Sequence, residues 1–259
     1  MPGKVGKALQ IVSESGVTGL VGAISRKLGI PLPRNKKSVW RANVGEEIRW
    51  WDGYFQREVV PQRQDYPRLQ ADKPLQKQIV DLLPPGQETV DILDVGAGPL
   101  TFLGKVCPGR TLFITAVDPL ARHYDRILAK HDITPLVRTE EAHAERLSDR
   151  FPPDTFDLVY ARNCIDHSYD PEKAILEMVT VVKPDHHVLM EHHPNEAEHV
   201  NYVGLHQWNL SMDDSSHFIL SSKNDRIDMT EKYRDICSIT CEIVEDDEPW
   251  LVTRIHKKP

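Results

Sequence analysis

The sequence lacks an apolar run long enough to cross a membrane as a helix. No CxxC pair, internal repeat or low-complexity tract occurs in its 259 residues. The apolar residues after Lys4 and Lys7 are broken by Ser13, Glu14, Ser15 and Gly16, so they do not read as a secretory signal and none is expected. Together these absences predict a cytoplasmic protein with no stable membrane insertion. The four cysteines, Cys107, Cys164, Cys237 and Cys241, then read as reduced core thiols. Basic excess is missing too. The net charge is -7, and residues 1–44 hold eight basic side chains against one acid, Glu14. The remainder therefore carries -14, which argues against a nucleic-acid partner. The basic leader suits an anionic surface, a partner or simply solvent.

What is present organises around Val90-Asp91-Ile92-Leu93-Asp94-Val95-Gly96-Ala97-Gly98-Pro99-Leu100-Thr101. The apolar run suits a strand buried on both faces, as in a parallel sheet. Gly96 and Gly98 allow a tight turn and a close approach of backbone to ligand. Pro99 pre-sets a helical φ, so a helix is expected to begin there. Strand, glycine turn and helix N-terminus form a nucleotide-type site.

Upstream, residues 5–28 have apolar positions at roughly helical spacing, weakened by Gly16, Gly19 and Gly22. Residues 31–37 read as a linker. Residues 44–60 predict a helix with Ile48, Trp51, Phe55 and Val59 on one face, and residues 70–83 a second helix. Downstream, strands are expected at 112–117, 134–137, 156–161 and 188–190, with helices at 120–130 and from Asp170-Pro171-Glu172 onward. Such alternation implies a doubly wound parallel sheet. Residues 238–244 and 250–255 predict a final antiparallel hairpin. The expected organisation is a helical extension and lid over 1–75 and a core over 76–259.

Three features narrow the ligand. Thr101 stands where a dinucleotide fingerprint wants its third glycine. Asp94, two residues before the first glycine, would repel a pyrophosphate but suit an ammonium group. Asp118, ending the second strand, can accept from both ribose hydroxyls. With these, Asp94-Val95-Gly96-Ala97-Gly98, Asp118 and Phe156-Asp157-Leu158-Val159 leading to Asn163 resemble the class I S-adenosylmethionine-dependent methyltransferases over residues 76–259. Lys183-Pro184-Asp185-His186 stands where that family usually has a lysine-proline-glycine-glycine turn, and the double glycine is missing.

The resemblance implies an α/β fold: a Rossmann-like, doubly wound, mostly parallel seven-stranded sheet with an antiparallel C-terminal hairpin, here behind an N-terminal helical extension. It implies S-adenosyl-L-methionine as cofactor. Asp94 and the backbone at Gly96 and Asn163 would hold its methionine part, with Gly98 also at the cofactor. Asp118 would bind the ribose, and Ala144 and Glu145 would flank the adenine. Asp118 as a helix cap and Glu145 as a surface acid are the structural alternatives. Tyr169 and Lys173 match the YxxxK pair of short-chain dehydrogenases, but Pro171 between them marks a helix start instead.

Polar groups that can move protons are dense after the fifth strand. Methyl transfer is an in-line displacement that needs alignment. A hydroxyl acceptor must also lose its proton, which suits a neutral imidazole. His167, His192, His193 and His206 are the candidate bases. Asn195, Gln207 and Asn209 read as hydrogen-bonding groups for an acceptor, Tyr202 as a further substrate contact, Trp208 as a stacking surface, and Trp51 and Tyr54 as parts of a lid. Glu191, His192, His193, His199 and His206 show no strict ligand spacing, so no metal is expected. The expected reaction is O-methylation of a small polar acceptor such as a sugar or glycan precursor. The basic leader before this core resembles enzymes of bacterial surface-polysaccharide pathways. Three alternatives remain: an amine or phosphoramidate-type nitrogen acceptor, an NAD(P)-dependent oxidoreductase, and a non-catalytic cofactor-binding subunit. The sequence leaves the oligomeric state open.

Overall fold

A computed structural model describes residues 36–259. The helix expected at 5–28 lies outside the described residues. The first described element is the helix α1 (Lys36–Tyr54), which continues as a wider π-helical turn over Phe55–Val59. The core follows as β1 (Thr89–Val95), β2 (Thr111–Val117), α2 (Ala121–Lys130), β3 (Thr139–Glu140), β4 (Phe156–Arg162), α3 (Pro171–Val181) and β5 (Val182–His192). Three short strands come next: β6 (Asn209–Met212), β7 (Phe218–Ser221) and β8 (Arg226–Asp228). The chain ends in β9 (Cys237–Val244) and β10 (Trp250–Lys257).

Seven strands form one sheet in the order β3-β2-β1-β4-β5-β10-β9. The first five run parallel, and β10 pairs antiparallel with both β5 and β9. This is the expected Rossmann-like sheet with its antiparallel hairpin. β1 is central because it is apolar on both faces. Leu93 and Val95 belong to the core beneath α3, while Val90 and Ile92 belong to a second core shared with Ile79, Leu103 and Tyr160. The strand order reverses between β1 and β4, where doubly wound sheets bind ligands at the strands' C-terminal ends. Asp170 accepts from the Lys173 amide (3.3 Å) and caps α3 as its sequence requires.

The small antiparallel sheet β6-β7-β8 was not expected. Leu210, Phe218 and Leu220 bury their side chains in the same core as Ile175 and Met178 of α3. The sequence between β5 and β9 thus extends that core.

Four expectations need correction. α1 is already helical at Lys36, inside the supposed linker, and regular α-helix ends at Tyr54. The helix expected over 70–83 is a single turn, Lys77–Val80. The third strand lies at Thr139–Glu140 rather than 134–137, because Asp118 N donates to the Glu140 carbonyl (2.9 Å) and sets the pairing there. Most consequential, no helix follows the glycine turn. Residues 99–110 are a loop that takes its hydrogen bonds from residues 73–76. Lys105 N and Val106 N donate to the Lys73 carbonyl (2.7 and 3.1 Å), and Gly104 N donates to Gln76 Oε1 (3.2 Å). Gly104 lies so close to Pro74 that a Cβ would sit 1.9 Å from its carbonyl oxygen. At the altered lysine-proline turn, Asp185 adopts φ 63°, a left-handed conformation that aspartate tolerates better than most residues.

Candidate active site

One cavity of about 570 Å³ opens at the C-terminal ends of β1, β2 and β4, beneath α1. Its floor is the glycine turn. Gly96 and Gly98 have φ of 68° and 65°, which other residues rarely adopt. A Cβ on Gly96 would lie 2.5 Å from the Cys164 side chain, and one on Gly98 would lie 3.0 Å from Trp51. The turn is pinned by Gly96 N donating to the Val117 carbonyl (2.8 Å) and by Thr139 Oγ1 donating to the Gly98 carbonyl (2.7 Å).

The two acids that frame the turn are buried. Burial pushes Asp94 up to about 6, although the hydroxyl of Thr101 donates to it. Asp118 accepts from Leu120 N (2.8 Å) and Gly98 N (3.3 Å), yet burial still pushes it up to about 7. Asn163, at φ 46°, turns the chain after β4 and lines the cavity, and its buried Oδ1 has no partner. An unpartnered acceptor beside two buried carboxyls suits a ligand that brings cationic and hydroxyl donors. These groups therefore fit S-adenosylmethionine, with its ammonium and ribose.

Ala144 and Glu145 form another wall. The Glu145 carboxylate is not a surface acid. It accepts from Tyr169 N (2.9 Å) and Asp170 N (3.4 Å), bracing the entry to α3, and burial raises its pKa. The structure thus brings Asp94, Gly96, Gly98, Asp118, Ala144, Glu145 and Asn163 to one cavity.

The four histidines part company. His167 and His206 line the cavity. His206 Nδ1 lies 2.7 Å from Asp166 Oδ2 and 3.2 Å from His167 Nε2. Burial alone would raise Asp166, but the charge of His167 and the hydrogen bond to His206 hold it down to about 2. Burial works against a charged His206, and Asp166 outweighs it, so the net shift is upward. His192 is not in the wall. It is 2% exposed, accepts from Ile165 N (3.2 Å) and is pushed down by burial to about 4. His193 packs on Trp250 outside the cavity, with its ring 3.9 Å from the indole centroid.

On the acceptor side, Trp51 lies in the wall, and Tyr54 sits behind it, bonded to the Tyr66 hydroxyl (3.2 Å). Tyr202, Gln207 and Trp208 line a neighbouring cavity of about 230 Å³ that shares Trp40 and His167 with the first. Gln207 spends its amide on the Tyr202 and Gly204 carbonyls (2.8 and 3.1 Å). Asn195, at φ 57°, turns the chain into the short helix Glu196–His199 and lines neither cavity. The polar density of residues 195–209 therefore largely holds that segment to itself. Asp166, His167 and His206 could also converge on a metal ion, since their ligating atoms lie within 4.8 Å of one another.

Sequence reasoning missed Trp40, because α1 already runs well before its apolar pattern suggested, and Glu47, which lay within the expected helix but off its apolar face. It also missed Arg68, Phe102, Asp166, Arg162 and Trp250, all near the cavity. For Arg162 a signal existed: it directly precedes Asn163 at the C-terminal end of a core strand.

Residues 93–190 match the family model described as a methyltransferase domain. This chain contains a methyltransferase domain. The protein is an S-adenosylmethionine-dependent methyltransferase, and S-adenosylmethionine is its cofactor. No curated protein matches the chain significantly. Among solved structures, the methyltransferase resembles a putative S-adenosyl-L-methionine-dependent methyltransferase from Methanococcus maripaludis at 16% identity, covering 87% of this chain and 94% of that one, TM-score 0.46. It also resembles DhpI, solved as a DhpI-SAM-HEP complex, at 14% identity over 87% of this chain and 100% of that one, TM-score 0.46. A Haemonchus contortus phosphoethanolamine N-methyltransferase is 16% identical, over 70% of this chain and 52% of that one, TM-score 0.44. At such values none of these bears on the methyltransferase's acceptor.

Proposed function

We propose that this methyltransferase methylates a hydroxyl of a small polar acceptor, with His206 as general base and Asp166 as its orienting partner. The observation that carries the reading is the 2.7 Å contact between His206 Nδ1 and the buried Asp166 carboxylate, inside the cavity wall. A carboxylate there favours the proton on Nδ1 and leaves Nε2 as the lone pair that takes the acceptor's proton. His167 Nε2 lies 3.2 Å from that same Nδ1 and can share its proton only while His167 is itself neutral. Bound S-adenosylmethionine supplies a methyl group on a sulfonium. Asp118 would accept from the ribose hydroxyls, Asp94 and Asn163 would face the ammonium group, and Ala144 would flank the adenine.

Trp50 in the wall, half exposed, offers a flat face to a ring, which supports a sugar or glycan precursor as the first acceptor class to test. An amine acceptor is the second reading, favoured by the carboxylates Glu47 and Glu196 in the wall. The test is methyl transfer from labelled S-adenosylmethionine to panels of sugars and amines. His206→Ala should lose turnover while S-adenosylhomocysteine still binds. Full turnover in that variant would refute the base, and labelling of amines alone would refute oxygen as the acceptor.

A further inference from the structure

The cavity is electrically polarised. Glu47, Asp118, Asp166 and Glu196 lie on or beside one part of it, whereas Arg68 and Arg162 line another. Behind the two arginines stand Lys73 and Lys105. Three of the four cations gather on one ring: Arg68, Lys73 and Arg162 lie 5.3, 4.4 and 4.3 Å from the Phe102 centroid. Arg162 is also 3.8 Å from the Trp250 centroid. In a chain whose described part is strongly acidic, this concentration of positive charge is unexpected.

The acids nearby do not neutralise it. Glu191 engages Arg162 and also accepts from Tyr160 and Gln78. Among the described residues, Arg68, Lys73 and Lys105 have no carboxylate within 4.0 Å. They are held instead by carbonyls of the loop that replaced the expected helix. Arg68 donates to Leu100 (3.2 Å), Lys73 to Phe102 (3.0 Å) and Lys105 to Leu103 (2.5 Å). A carbonyl fixes a cation in place and removes none of its charge. The cost registers in the lysines: burial lowers both, their cationic neighbours lower them further, and Lys105 falls to about 8. The acid that interacts with Arg68 and Lys105 is Asp94, which burial pushes the other way.

We infer that the acceptor carries a phosphate group, seated against the cavity-facing sides of Arg68 and Arg162, with Lys73 and Lys105 reinforcing the field. The inference deepens the reading of the acceptor given above and rests on it. Three uncompensated cations against one acid call for about two negative charges, which a phosphate ester supplies and a carboxylate does not. The guanidinium forks give the planar donor pairs that phosphate oxygens accept. The cofactor's own carboxylate is the competing occupant, and it is a single charge.

The probes are phenyl phosphate, benzoate and phenol, titrated calorimetrically into protein saturated with S-adenosylhomocysteine. Phenyl phosphate should bind at least tenfold tighter than benzoate, with phenol weaker still. Arg68→Gln and Arg162→Lys should each weaken phenyl phosphate tenfold or more while S-adenosylhomocysteine affinity changes less than threefold. Arg162→Lys keeps a cation beside Glu191, and retained S-adenosylhomocysteine binding reports that each variant is folded. Equal binding of the three probes, or none of phenyl phosphate, overturns the inference. Equal losses of S-adenosylhomocysteine and phenyl phosphate also overturn it, because the cations would then serve the cofactor. Failure of the unaltered protein to bind S-adenosylhomocysteine is a different result and refutes the cofactor site itself.

Discussion

The affinity of this enzyme for its cofactor should rise with pH through neutrality, and the reason is Asp118. Its carboxyl is buried and pushed up to about 7, so the ligand-free protein holds a proton there at pH 6. A raised carboxyl pKa means that the folded state keeps a proton the unfolded chain has released, and the group disfavours folding increasingly as pH climbs from 3.8 toward 7. If Asp118 binds the ribose, its carboxylate offers both oxygens to the two hydroxyls whereas the acid spends one oxygen on its own proton, so cofactor binding would favour loss of that proton. Between pH 6 and pH 8 the ionised fraction goes from roughly a tenth to nine-tenths, which is about tenfold in affinity or about 1.4 kcal/mol. Asp94, at about 6, adds a smaller change of the same sign. Calorimetry of S-adenosylhomocysteine binding in two buffers of different ionisation enthalpy, at pH 6, 7 and 8, reads both affinity and proton release. Asp118→Asn carries the control, since the ligand's own titration is common to both proteins. The variant should lose most affinity at pH 8 and little at pH 6. An affinity that parallels the variant's across the range, with no proton released near pH 7, would refute the ribose role of Asp118.

Further outcomes follow from the same geometry. His206→Ala should lower kcat by about 10²–10⁴-fold if it removes a general base, measured in single-turnover assays at saturating cofactor. Because Asp166 raises the His206 pKa, the acidic limb of the kcat profile should lie above the ordinary histidine range, with activity lost as pH falls through it. Gly96→Ala should abolish cofactor binding, since the new Cβ meets Cys164 at 2.5 Å in a left-handed turn; affinity close to the unaltered protein's would contradict that packing. Phe218→Ala should cost about 3–5 kcal/mol in denaturant unfolding, because Phe218 is fully buried in the core under α3. A much smaller loss would mean that the small sheet is not part of that core.

The sheet was legible because its signals are local. β1 is apolar on both faces, Asp118 closes β2, and Asp170-Pro171 opens α3, and each can be read within a few residues. The loop at 99–110 was not legible. Pro99 favours a helix start, but Gln76, Lys73 and Pro74 outbid it from more than twenty residues away. The histidines illustrate the same limit. His192 and His193 are neighbours in sequence, and strand alternation sends one into the core and one outward, away from His206. Only tertiary structure brings Asp166 to His206 across forty residues. The density of polar groups in 195–209 misled for a related reason. Asn209 and Glu198 hydrogen-bond each other (3.1 Å), so residue type alone did not reveal that their bonding capacity was spent.

Trp51 rests on the glycine turn closely enough that even a methyl group on Gly98 would crowd it. α1 carries that indole and buries none of its own residues completely. If Trp51 also covers the bound cofactor, exchange would require α1 to lift, and the residence time of the spent cofactor would follow how often it does. A persistent contact would make product departure, rather than methyl transfer, the step that limits successive turnovers, and Trp51 is a fluorophore placed to time it.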